Sequence, residues 1–190
     1  SDYRGVDLFG GATLVFNGDA TLQGTSTSGS GIFVGSADIS ANSANVVLQG
    51  SSISSSGISF GDTATLNNTG AGSLSLTGTS TSNNGLQVNS NVAISTDGNV
   101  NLSGVSSTGN GFNIFSGASI TQSSGNLSID GSTVSGTGIN SVATSALTNN
   151  GAGTLTLNGT HNIAVAGSVS SMNGDLSLLT TGDLTIASTG

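Results

Sequence analysis

The chain has 190 residues, with no Pro, no Cys and one basic residue, Arg4, against nine Asp, for a net charge of −8. Nucleic acid and anionic lipid both call for clustered Lys and Arg, so neither is expected as a partner. No apolar run approaches the ~20 residues of a membrane span, and the 34% of hydrophobic residues sit in register rather than scattered, which argues against disorder.

Residues 1 to 11, with Tyr3, Arg4 and Phe9, read as an irregular lead-in. ATLVFNG and ATLQG over 12 to 24 read as two closely spaced strands of an atypical coil. From Gly24 a frame begins that recurs on Gly50, Gly78, Gly104 and Gly131 and in part on Gly159, at spacings of 26, 28, 26, 27 and 28. With each glycine as origin, apolar pairs lie at minus four and minus two: Ala20/Leu22, Val46/Leu48, Leu74/Leu76, Val100/Leu102, Leu127/Ile129 and Leu155/Leu157. A second glycine follows at plus seven, then the pairs Ile32/Val34, Ile58/Phe60, Leu86/Val88, Phe112/Ile114 and Ile139/Ser141. A third set follows it: Ala37/Ile39, Ala64/Leu66, Val92/Ile94, Ala118/Ile120 and Ser145/Leu147.

Alternation with a period of two marks strands with one buried face. Three short strands per ~27-residue repeat, joined by Gly, Ser, Asn and Thr corners, predict an all-β, three-sided parallel β-helix. The crossover rule predicts a right-handed one. The glycines at zero and plus seven predict corners that need either φ > 0 or close backbone approach. The rod is expected over 12 to 190, with regular coils from about 24 to 159. GDLSLLTT and GDLTIAST, with Asp175 and Asp183 eight apart, predict adjacent sides of a smaller coil after that. The opening residues lack a basic region leading into an apolar segment, and the chain reads as a piece of something longer.

An enzyme on this scaffold would need convergent carboxylates or Asp-bound calcium beside a base. Asp38, Asp62, Asp97 and Asp130 fall at different positions of the repeat; Asp38 and Asp62 come nearest to a pair, and solvated turn carboxylates are the plainer reading. His161, the single histidine, falls in a row with Ser26, Ser52, Ser80, Ser106 and Thr133, where no second ligand stacks. No catalytic, metal or cofactor residue is therefore assigned, and no cofactor is expected. The TSTS runs at 25 to 28 and 79 to 82 read as solvated strand surface; an ice-binding face would need them on every coil, and SSIS, VSST and STVS break the array. Asn67, Asn101, Asn126 and Asn158 head Asn-x-Ser/Thr sequons and are possible glycosylation sites, Asn101 on an outward row. Phe33 and Phe115 are the aromatics expected at the surface.

The recurring GxLxLxGTSTSxxGhxh with Asn/Ser/Thr corners resembles the repeat shaft of filamentous-haemagglutinin-like large exoproteins, the secreted partners of two-partner secretion systems. The likeness spans roughly residues 12 to 190 and rests on pattern and composition. Absence of Pro sets the chain apart from that family's Asn-Pro-bearing secretion module. The resemblance implies an extracellular or outer-surface structural and adhesive rod, exported through an outer-membrane transporter. It would meet a host or bacterial receptor or glycan and be open to end-to-end or lateral self-association. The alternative is a carbohydrate-binding or carbohydrate-cleaving β-helix and, further off, an ice-binding solenoid.

Overall fold

The apolar pairs need a surface to bury against, and successive repeats supply it by stacking. The structure, a computed structural model, describes residues 3–61 and 63–187. It is an all-β solenoid of three parallel sheets. Sheet A holds the strands Val6–Phe9, Ile32–Gly35, Ile58–Gly61, Leu86–Val88, Phe112–Ile114, Ile139–Ser141, Ile163–Val165 and Leu184–Ile186. Sheet B runs from Thr13–Phe16 through Asp38–Asn42, Thr65–Thr69, Ala93–Thr96, Ser119–Gln122 and Ala146–Asn149 to Ser168–Ser171. Sheet C runs from Ala20–Ser26 through Val46–Ser52, Leu74–Ser80, Val100–Ser106, Leu127–Thr133 and Leu155–Gly159 to Leu176–Thr180.

The expected register holds. Leu76, Leu102 and Ile129 are consecutive partners in sheet C and fully buried. The glycines at zero pair with one another in an unbroken row from Gly24 to Gly159. The reason for glycine is close approach, not left-handed backbone. A Cβ on Gly78 would strike the Gly85 carbonyl oxygen, and one on Gly85 would strike the Val105 amide of the next coil. Sheet C and sheet A are pinched together at this pair. The positive φ angles sit elsewhere: Gly10, Gly11, Ser36, Thr63, Asn91, Gly117 and Thr144 in the corner from sheet A to sheet B, Ser43 and Gly70 in that from sheet B to sheet C, and His161 in that from sheet C to sheet A.

Three features differ from the sequence reading. Residues 1 to 11 are not all an irregular lead-in, because Val6–Phe9 is a strand in register with Ile32–Gly35. Gly5 lies where the plus-seven glycines lie, its absent Cβ facing Thr25 as that of Gly31 faces Ser51. The segment from 12 to 24 is an ordinary passage from sheet B to sheet C. The row from Ser26 to Thr133, placed with solvated strand surface, is buried.

Burial of that row follows from the corner it fills. Each hydroxyl accepts the amide N–H three residues ahead and donates to a carbonyl of the preceding coil. Ser52 takes Ser55 N at 3.0 Å and gives to Gly29 O at 2.7 Å; Ser80 takes Asn83 N at 3.0 Å and gives to Ser55 O at 2.6 Å. Ser26, Ser106 and Thr133 repeat the pattern with Tyr3, Asn83 and Gly109 as carbonyl partners. A hydroxyl both donates and accepts, so one small side chain satisfies two backbone groups that would otherwise be buried without partners.

A second ladder closes the corner from sheet B to sheet C. Asp19 Oδ1 accepts Asn45 N at 2.9 Å, Asn45 Oδ1 accepts Ser73 N, Asn99 Oδ1 accepts Asn126 N and Asn126 Oδ1 accepts Thr154 N. The Asn45 backbone N–H, and then its side-chain amide, hold the Asp19 carboxyl below the usual carboxylate range.

The adjacent sides expected of GDLSLLTT and GDLTIAST are present, as Leu176–Thr180 in sheet C and Leu184–Ile186 in sheet A.

Candidate functional site

A solvent-facing position on a flat sheet should be exposed. On sheet A it is not. The outward column runs Asp7, Phe33, Ser59, Gln87, Asn113, Asn140. Ser59 is only 5% exposed and Asn113 only 4%. Strands of three or four residues between two corners leave this face concave, so the column forms the floor of a groove.

At its open stretch the groove forms a cleft of about 340 Å³. Ser59 and Gln87 form the floor, the corner serines at 28, 30 and 54 to 56 with Asn83 form one wall, and Phe33 with Arg4 closes one end. The Phe33 ring lies across Gly35 and Gly61, where a Cβ on Gly35 would collide with it. The Arg4 guanidinium lies over the Phe33 ring, 3.7 Å from its centroid, while donating to both Asp7 oxygens at 3.0 and 3.1 Å. The charge of the one cation is thus met at once.

The floor is held by amides. Gln87 Oε1 accepts from Asn84 Nδ2 at 2.6 Å and Ser56 Oγ at 3.1 Å, and Gln87 Nε2 donates to Asn89 Oδ1 at 2.6 Å. Asn89 Nδ2 donates to Ser59 Oγ at 3.3 Å. Further along the same face the lining turns apolar, with Ala143, Ala164 and Ala166 in place of amides.

The residues weighed from sequence lie apart. Asp38 accepts from Thr65 Oγ1, Asp97 Oδ2 from Gly70 N at 2.9 Å, and Asp130 from Asn158 Nδ2 at 2.9 Å and Ser128 Oγ at 3.2 Å. These are hydrogen bonds to neighbouring coils or within one strand, and no two of the three carboxylates meet. Asp62 lies outside the described residues. Among the described residues no group of three or more His, Cys, Asp or Glu could hold a metal ion. His161 is exposed and does not continue the hydroxyl row, since the corner after Gly159 reaches sheet A at Ile163 and not eight residues on. Of the sequons, all four asparagines are exposed. Asn67 stands on the outer face of sheet B and Asn101 on that of sheet C, whereas Asn126 and Asn158 are engaged in the bonds above. The aromatics at the surface are Tyr3 and Phe9, 74% and 64% exposed; Phe33 and Phe115 are half-buried.

Sequence reasoning missed the cleft. Its one signal is Phe33 in a column otherwise Asp, Ser, Gln and Asn, since a large ring there must lie down on something small, which Gly35 and Gly61 provide. Comparison of the chain with protein-family models, with curated proteins and with solved structures finds no match.

Proposed function

We propose that this chain is a length of the rigid shaft of a secreted or cell-surface adhesive exoprotein, its coils acting as spacers and its outer faces as contact surfaces. The observation that carries the reading is the continuity of all three sheets, in which strands pair only with the same side of the coils before and after. Such a stack has a length proportional to coil number and an outer surface that varies without disturbing the interior. The scarcity of charge and lack of Cys suit a chain exported unfolded and folding outside, through an outer-membrane transporter. A host or bacterial surface, through a receptor or glycan, is the partner class; self-association of rods belongs to the same reading.

The test is retention of beads carrying the chain by one terminus on epithelial cells, bacterial cells and glass under flow. Retention above beads carrying a heat-unfolded sample supports the reading. No retention on any of the three surfaces, with circular dichroism showing the folded β form, removes the adhesive half of it.

A further inference from the structure

We propose that the sheet A cleft binds a short neutral oligosaccharide. The inference rests on reading the outer faces as contact surfaces, but not on export or on rod length.

The first ground is an unmet donor. Ser59 Oγ accepts from Asn89 Nδ2, so its own proton points elsewhere, and among the described residues it finds no acceptor. Ser59 as a residue is 95% buried and lines the cleft floor, so the cleft is where a partner for that proton can be supplied. Beside it the second proton of Gln87 Nε2 is free, because the first is spent on Asn89. Asn83 Oδ1 accepts from the Asn84 backbone N–H, and the Asn83 NH₂ on the cleft wall donates to no group among the described residues. Three donors therefore line one cleft, with the wall's Ser54 and Ser56 hydroxyls, whose protons go to Thr27 O and Gln87 Oε1, left as acceptors.

The second ground is preorganisation. The amide of Gln87 is fixed by three hydrogen bonds, so a ligand does not have to immobilise it. The volume falls at the small end of the range for ligand sites.

Chemistry selects among ligands. Hydroxyl and ring oxygens of a sugar accept from such donors, and sugar hydroxyls can donate back to the serines. An anion is disfavoured, because Arg4 already has Asp7 and the chain carries −8. A peptide adding as a strand is disfavoured as well, since Ile58–Gly61 is paired on both sides and offers no edge.

The experiment is an amide-resolved NMR titration of the whole chain. The probes are tetrasaccharides of β-1,4-glucose, β-1,4-N-acetylglucosamine, α-1,4-glucose and β-1,4-mannose, with a heparin tetrasaccharide as the anionic probe. At least one neutral probe should shift the amides of Ser55, Ser59 and Gln87 at millimolar concentration. Ser59→Ala and, on the exposed wall, Asn83→Ala should each weaken that binding about tenfold, one hydrogen bond's worth. Gln49→Ala on sheet C should leave it unchanged. Shifts with heparin alone, no shift with any neutral probe, or binding by both cleft variants as tight as by the unmodified chain would overturn the proposal. Because bead retention is read separately, a shaft that adheres without binding these sugars is distinguishable from one that does neither.

Discussion

At the scale of single residues, glycine does two different jobs in this chain. At Gly104 the carbonyl oxygen of Gly111 occupies the space of a Cβ, while at Gly18 nothing lies within 4 Å. Gly104→Ala should therefore cost about 3 kcal/mol or more, and Gly18→Ala should stay within about 0.5 kcal/mol; equal shifts in a urea melt would refute the pinch. Thr144 poses the opposite problem, a β-branched residue at φ 66° in an exposed corner. Asn91 holds the corresponding left-handed place two coils earlier, at φ 62°. Asparagine tolerates that region better, so Thr144→Asn should raise stability by about 0.5 to 1 kcal/mol. A lower melting temperature for that variant would count against strain at the corner.

Elements here are columns more than strands. Leu102 is fully buried between Leu76 and Ile129, whereas Asn101 beside it is exposed. Leu102→Asp should cost several kcal/mol, on the order of a buried unpaired charge, and Asn101→Asp under about 1 kcal/mol. The hydroxyl column makes a separate forecast. Ser106→Ala strands the Gly109 amide and the Asn83 carbonyl, which should cost about 1 to 3 kcal/mol. Ser107→Ala, at an exposed position, should cost almost nothing, and thermal melts of the pair decide it. Columns of Leu, Ile and Val were legible in the sequence because apolar alternation has one interpretation. Ser26 and its row were not, since serine suits water and a hydrogen-bonded corner equally well. Only the folding of the chain around it tells the two apart. Gly5 was overlooked for a plainer reason: with no origin glycine seven residues before it, nothing marked it as part of a repeat. The cleft was hard to read because its hollow is made by the corners on either side of short strands, and Phe33 alone marks it in the sequence.

For the whole molecule, the stack predicts that coils can be removed in integral units. Deleting Gly78 to Ser103 joins Thr77 to Gly104, and the columns through Leu76, Leu86 and Ile94 close over their neighbours. The variant should remain folded and shorten by one strand spacing, about 4.8 Å. Deleting Gly78 to Ser90 would set unlike sides over one another and should not fold. Small-angle scattering and β-form circular dichroism on both variants test this, and aggregation of the full-period deletion would refute it.

That freedom has a boundary, set by the corner after Gly159. Gly131 reaches the next sheet A strand at Ile139, but Gly159 reaches it at Ile163, and the stretch that carries the hydroxyl is missing. From Leu155 to its partner Leu176 is 21 residues, a girth smaller than any turn before it. A wide ring set beyond a narrow one would carry its serine corner past the end of the narrow one, whose corner carbonyl, His161 O, takes its proton from Thr180 at the end of the sheet C strand instead. The coils before Gly159 therefore commute with one another, and the tapered ones do not commute with them. The rod has a grammar as well as a length: repeats can be shuffled within the broad section, but the step down occurs at one place and points one way along the chain.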